Sequence, residues 1–477
     1  MSPSIEFQGL AVSKRSSNCP SVGLRVFQSF TIFSPGHGER WLLALDCPKS
    51  FLSFLTEVPD YALRTRTRRG VYKPHRNRSE LHRQHHPSSS FFFFSLQCVY
   101  LQLFSLLALY AVAAIAWPSQ QPSARAASSS MAKPVRITVP PDSTDRMTKI
   151  IPDAAHPFMA PGPKDQRGPC PGMNTLANHG YIPRDGIATF EDILNAMVEV
   201  FNIRQDFGAF LVAANMLMKG NPYLNKISIG GVSSKVPAVP GSKTPPGGLS
   251  EHGGFEGDAS LTREDVNLGD NANFQNLHYD NMLIQLGKFG GDGTFGNSTV
   301  FNAETLAAVR EHNFRSSMAN NPKFAISPTR FIAIWTESSF LLDMFANGTT
   351  SEASLPVIGS FLRNQTFPEN WFRPATERTG GEHADAIREG VTARGLTVLA
   401  GHTENGEYIL EKPAPAPFNA SFECEMYYNI LSNSPASYAN ATGVFGENVK
   451  LLSSMVQESL ASGEACDVPL LPLGMNK

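Results

Sequence analysis

Apolar residues recur along most of this chain at helical rather than strand-like spacing. Thr189 stands three residues before Asp192, the arrangement of a capping box, and Ile193, Leu194, Met197, Val200 and Phe201 follow at intervals of three and four. Phe207 to Lys219 predicts a second apolar helix, closed by Gly220. Arg330 to Phe345 predicts another, flanked by Pro328 and ended at Asn347-Gly348. Ala303 to Met318 and Val444 to Ala461 are further helical candidates. Period-two alternation is short, as near Thr397 to Ala400 and Tyr408 to Leu410. VPAVPGSKTPPGG, from Val236 to Gly248, holds too much Pro and Gly for regular structure and predicts a loop. The pattern predicts a single, mainly α domain.

One hydrophobic stretch stands apart. Phe91 to Trp117 is 27 residues without a charge, long enough to cross a hydrocarbon core as a helix. A basic flank precedes it, including RTRTRR from Arg64 to Arg69, so the positive-inside rule sends the following chain out of the cytosol. Ala114-Ile115-Ala116 has the A-x-A form of a signal-peptidase site, and both a cleaved signal peptide and a retained anchor fit. About ninety residues precede the segment, and no methionine occurs between Met1 and Met131. Much of residues 1–90 is therefore expected to be upstream or intron sequence. The expected organisation is an unassigned basic extension (1–90), a signal peptide or anchor (91–117), a linker (118–150) and one domain (151–477).

Charge divides the chain at the same place. The 477 residues carry a net charge of −2. Residues 1–130 hold 14 Lys+Arg against six Asp+Glu, and the remainder holds 26 against 36. The acidic remainder offers no basis for nucleic-acid binding. Five N-x-[ST] sites, at Asn297, Asn347, Asn364, Asn419 and Asn440, follow the hydrophobic segment, as in a secreted glycoprotein. Asn77 lies before it, where a sequon would be inert. Three of the six cysteines, Cys19, Cys47 and Cys98, fall in the leader. Cys424 and Cys466 are the natural disulfide pair of the rest, worth roughly 4 kcal/mol on the chain-entropy model. Cys170 is left without a partner.

Cys170 sits in RGPCPGMNTLANHGYIPRDG. Pro171 suits the first position of a helix and Gly180 its end, which places the sulfur at the N-cap. Unpaired N–H groups and the helix dipole favour a thiolate there, the species that binds metal. A buried structural cysteine also fits these residues. FEGDAS, Phe255 to Ser260, gathers a carboxylate, a carbonyl and a hydroxyl, the hard oxygens that Mg²⁺ accepts, although such a loop is also an ordinary turn. Arg330 and Glu337 are two helical turns apart and share one face with Ile334 and Leu341, bordered by Phe340. A structural ion pair fits as well. No G-x-G-x-x-G follows a strand, so no dinucleotide site is expected.

The proximal segment around Cys170, EHGGFEGDASLTREDV (251–266) and RFIAIWTE (330–337) occur in an order that resembles the fungal haem-thiolate peroxidases, the chloroperoxidase and unspecific peroxygenase family. The similarity runs from about Ala155 to Cys466. The Arg–Glu pair and the C-terminal cysteines match the long, secreted branch; residues 1–130 match nothing in the family. The resemblance implies a helical chloroperoxidase-like fold with haem b on the Cys170 thiolate. It implies Glu337 as the general base on hydrogen peroxide and Arg330 as the group that stabilises the developing charge and keeps Glu337 ionised. Glu256, the Gly257 carbonyl and Ser260 would hold Mg²⁺ beside a haem propionate, with Asp258 part of the motif. Phe255, Phe340 and Ala333 would line the substrate pocket, with Ile203 in place of the third phenylalanine of the long branch. His252 falls where short-branch relatives use a histidine, a role the Arg330–Glu337 pair takes here; His278 is read as structural.

The activity implied is oxygen insertion into aromatic and aliphatic compounds with hydrogen peroxide as the only co-substrate, without a reductase partner. A halide-oxidising chloroperoxidase is the alternative within the family. A catalytically idle haem-binding or membrane-anchored surface protein is the alternative outside it.

Overall fold

A computed structural model of the chain describes residues 27–33, 40–46, 132–291 and 299–460. The chain divides into two units, Met1–Pro122 and Ser123–Lys477. In the first, β1 (Phe27–Phe33) and β2 (Arg40–Asp46) pair antiparallel, with Phe27 opposite Asp46 and Phe33 opposite Arg40. The sequence reading assigns this stretch no fold. Its two aromatic and aliphatic runs, separated by SPGHGE, carry the composition of a hairpin. The hydrophobic segment at 91–117 lies outside the described residues. Among the described residues, no helix is long and apolar enough to cross a membrane.

The second unit is mainly helical, with ten α-helices among its described residues. α1 (Pro171–His179) has Cys170 at its N-cap, proline at its first position and Gly180 at its end, where φ of +77° suits glycine. A short strand β3 (Ile187–Ala188) leads into α2 (Phe190–Phe201), which opens on the Thr189–Asp192 capping box. α3 (Gln205–Lys219) follows, and β4 (Ile227–Ser228) returns to pair with β3. After the irregular segment around the EGD motif come α4 (Asn276–Phe289), α5 (Ala303–Asn320), β5 (Ala325–Ile326) and α6 (Pro328–Asp343). The rest comprises α7 (Leu355–Gly359) running into a π-turn (Ser360–Asn364), α8 (Ala384–Ala393), β6 (Gly401–Glu404), β7 (Glu407–Leu410), α9 (Phe422–Ser432) and α10 (Gly443–Leu460).

α6 begins two residues before its expected start because Ser327 caps it, its Oγ accepting from the Arg330 N–H, with Pro328 behind. The strand expected at 397–400 lies instead at Gly401–Glu404, between β5 and β7. α4, α7, α8 and α9 are not among the helices expected from the sequence pattern. In α4, Leu277 and Ile284 are exposed while Met282 and Leu286 are buried, so apolar residues occupy both faces. α8 buries only Ile387 and Val391.

One hydrophobic core joins these helices. α3 packs along α10 and α2, and α5 along α4 and α8. Phe201, Phe345, Phe361, Phe367 and Trp371 form an aromatic cluster in which Phe345 and Phe361 stack at 4.3 Å. Fully burying a side chain of this size contributes about 1.5–3 kcal/mol. This cluster backs the turn that carries Cys170, because Phe345 lies directly against Gly172.

Candidate active site

A cavity of about 420 Å³ lies among α1, α3, α6 and the segment 255–262. Pro169, Cys170 and Pro171 form one part of its wall, and Arg330, Ala333, Thr336, Glu337 and Phe340 of α6 another. Phe255, Glu256, Gly257, Ser260 and Thr262 supply a third. The three motifs, spread over nearly 170 residues, therefore meet at one site.

Cys170 is held from behind. The Asn174 side chain accepts from the Gly168 N–H at 3.1 Å and donates to the Gly168 carbonyl at 2.8 Å, which fixes the turn before the helix. The Met173 and Gly172 N–H groups favour the thiolate, although the sulfur accepts no capping hydrogen bond. Burial nevertheless raises the thiol above its usual range, reinforced by the negative charge of Glu337. The helix N-terminus thus does not by itself yield the thiolate expected from the sequence. Coordination to a cation would, because a metal deprotonates its thiol ligand outright.

Arg330 is buried, with 2% of its side chain exposed, whereas Glu337 is 37% exposed. Arg330 Nη1 donates to both Glu337 oxygens at 2.8 Å and to the Phe255 carbonyl at 3.0 Å. Nε donates to the Asp258 carbonyl at 3.1 Å. Nη2 is buried without a protein partner, although its residue lines the cavity. A second arginine reaches the same carboxylate: Arg310 Nη2 lies 3.4 Å from Glu337 Oε2. Burial pushes the Arg310 guanidinium down to about 9. The buried Arg263, next to Thr262, is pushed down to about 10 by burial and lies within electrostatic reach of Cys170 and Glu337. Neither arginine is among the site residues expected from the sequence. Arg310 lies on the buried stripe Leu306, Arg310, Asn313, Ser317, whose mostly polar residues give no amphipathic signal in the sequence.

Polar groups of that stripe shape the EGD segment. Arg310 donates to the Ala259 carbonyl at 2.8 Å and Asn313 to the Ser260 carbonyl at 2.7 Å. Ser317 donates to Asp265 at 3.1 Å, and Asn321 to both Asp258 and Asp265 at 3.0 Å. Glu256, Gly257 and Ser260 face the cavity; Asp258 does not line it. Asp258 is fully buried, its carboxyl pushed up to about 6 by burial and by the nearby Asp265 carboxylate, and Oδ2 also accepts the Ala325 N–H. It serves the segment's shape. His252 Nδ1 lies 3.1 Å from Glu256 Oε2, and that hydrogen bond raises its pKa. No histidine is among the residues that line the cavity. His278 approaches Glu264 at 3.4 Å, away from the cavity lining.

Phe255, Phe340 and Ala333 line the cavity as expected. Ile203 does not. It is buried at the end of α2, in a bridge to Arg378, with its side chain against Gly208. The turn between α2 and α3 directs it into the core and brings Phe207 and Phe210 to the wall instead. Their spacing of three on an apolar helix was the available signal. Cys424 is buried and disulfide-bonded, while Cys466, its expected partner, lies outside the described residues.

The donor set fits the groups that the motifs imply. A thiol, apolar walls and a buried guanidinium nitrogen without a partner suit a flat iron macrocycle bearing carboxylates. Among the described residues, no three carboxylate, imidazole or thiol side chains cluster as a self-sufficient metal site. Glu256 with a carbonyl and a hydroxyl is instead a partial set, of the kind Mg²⁺ completes with water and a ligand oxygen.

Residues 156–376 match the family model of Peroxidase, family 2. An aromatic peroxygenase of Coprinellus radians is 36% identical over 229 residues, covering 47% of this chain and 85% of that relative. An aromatic peroxygenase of Cyclocybe aegerita is 35% identical over 234 residues, or 49% of this chain and 61% of that relative. A chloroperoxidase of Leptoxyphium fumago is 60% identical over 38 residues, 8% of this chain and 10% of that relative.

Proposed function

The chain belongs to Peroxidase, family 2, and we propose that it is a peroxygenase in which Cys170, Arg330 and Glu337 carry the reaction. The observation that carries this reading is the convergence of the Cys170 thiol and the Arg330–Glu337 pair on one largely apolar cavity. The natural groups are haem b, held by Cys170, and Mg²⁺, held by Glu256, the Gly257 carbonyl and Ser260. Haem on a cysteine sulfur supplies the electron-rich iron at which a peroxide O–O bond breaks and oxygen passes to an organic substrate.

Glu337 accepts a proton from one peroxide oxygen and returns it to the other, which leaves as water. Its partial exposure leaves the carboxylate open to the cavity, while Arg330 fixes it from the buried side. The positive charge of Arg330, held beside Glu337, stabilises the charge that develops on the departing oxygen. Phe255, Phe340, Phe207 and Phe210 exclude water and present aromatic faces to an apolar substrate. Halogenation has weaker support. The match to the chloroperoxidase is short, and the cavity wall holds an arginine and a glutamate rather than a histidine.

The protein is read as secreted and glycosylated, through the hydrophobic segment at 91–117 and its sequons. Asn364, Asn419 and Asn440 are exposed, as sugar attachment requires; Asn347 is half-buried, and Asn297 lies outside the described residues. Cys424 and Cys466 are the proposed disulfide.

Oxygen-18-labelled peroxide tests the activity: the label is expected in the hydroxylated product, and an unlabelled product would overturn oxygen transfer. The reduced, CO-bound protein is expected to show the red-shifted Soret band of thiolate ligation, and Cys170→His to lose it. Glu337→Gln is expected to retain haem but lose about 10²–10⁴-fold in peroxide turnover. Normal turnover would remove Glu337 from the reaction.

A further inference from the structure

Arg310 is a buried cation that the mechanism above does not use. It lies on α5, is fully buried and does not line the cavity. Taking a guanidinium out of water is costly, and a flexible apolar side chain of similar length would avoid that cost. Its donors are nevertheless all directed. Nε donates to Ser338 Oγ at 2.6 Å, Nη1 to the Ala259 carbonyl at 2.8 Å and Nη2 to the Ile334 carbonyl at 2.7 Å. Ile334 and Ser338 flank Glu337 on α6, so the fork grips the turn that bears the carboxylate. Nη2 then reaches Glu337 Oε2 at 3.4 Å.

Arg330 alone leaves one freedom. A single nitrogen, Nη1, contacts both Glu337 oxygens, which fixes the distance of the carboxylate but lets its plane pivot about that atom. A second donor at Oε2, from another helix, removes the pivot. We propose that Arg310 is a positioning residue for peroxide activation: its fork locks the plane of the Glu337 carboxylate and ties it to the segment carrying Gly257 and Ser260. This rests on the functional reading above.

The test compares haem-loaded wild type, Arg310→Met, Arg310→Lys, Ser338→Ala and Glu337→Gln. Two quantities are measured per bound haem: kcat/KM for peroxide, and the association rate of cyanide followed in the Soret band. Hydrogen cyanide must pass its proton to a nearby base as it binds, so its rate reports a positioned Glu337 without turnover. Arg310→Met is expected to lower both roughly tenfold to a hundredfold, with KM for the organic substrate unchanged. Arg310→Lys is expected to recover part of the loss, because lysine restores the charge but not the fork. Ser338→Ala, which removes one anchor of the fork, is expected to lower both by a smaller factor.

Wild-type rates per haem in Arg310→Met, even with a lower Tm or haem content, would overturn the proposal. Should that variant not fold, wild-type rates in both Arg310→Lys and Ser338→Ala would do the same. A wild type inert toward peroxide, or a Glu337→Gln protein equal to it, would defeat the functional reading instead.

Discussion

Gly257 lacks a side chain for a reason that lies in Arg330. A Cβ at this position would sit 2.9 Å from Arg330 Cδ and 3.0 Å from Cγ. That stem cannot simply move aside, because its guanidinium is tied to the carbonyls of Phe255 and Asp258 and to Glu337. Gly257→Ala is therefore expected to displace Arg330 and lower kcat/KM for peroxide roughly tenfold, with haem content retained. Steady-state kinetics per haem would check this, and unchanged kinetics would show that the contact yields. Phe340 is confined in a similar way: Gly380, with φ of +69°, packs against its ring, where a Cβ would approach to 2.1 Å. The sequence makes Gly257 and Phe340 legible only as motif members. What each touches depends on residues 70 or 40 positions away.

α1 presents a sulfur at one end and a buried histidine at the other. His179 Nδ1 meets the His156 carbonyl at 2.9 Å and so carries the proton, leaving Nε2 to accept from Thr366 Oγ1. Burial lowers its pKa below the usual value of about 6.5. A depressed histidine binds protons more weakly in the folded than in the unfolded chain. Its stabilising contribution is therefore present above pH 6.5 and is lost as pH falls below it. Tm is expected to decline on acidification through this window, and His179→Gln to flatten that decline while lowering Tm at pH 8 through lost packing. An unchanged slope in the variant would assign the acid sensitivity elsewhere. α5 works differently. Its residues Arg310, Asn313 and Ser317, with Asn321 just beyond, hold the EGD segment by side-chain contacts alone. Helical periodicity reveals neither this mostly polar stripe nor the loop it grips.

The net charge of −2 is the balance of basic residues 1–130 and an acidic remainder. Ser123–Lys477 forms a compact unit by itself, and every motif of the site lies within it. A chain beginning near Met131 is expected to fold, bind haem and keep wild-type kcat/KM when supplied with an export signal. Expression and haem-to-protein absorbance ratios would check this. A soluble product unable to bind haem would show that the preceding residues are required.

The sequence by itself determined the helical class, the proline start of α1, the capped start of α2, and the three motifs that name the family. Those features rest on local spacing, on backbone-restricting residues and on short stretches of distinctive chemistry, all carried within a few turns of chain. Only the tertiary structure decided that Ile203 turns into the core while Phe207 and Phe210 line the wall. It also decided that burial outweighs the helix N-terminus at Cys170, and that Glu337 answers to two arginines. Each of these depends on desolvation and on partners far away in the chain, which exist only once the helices have packed.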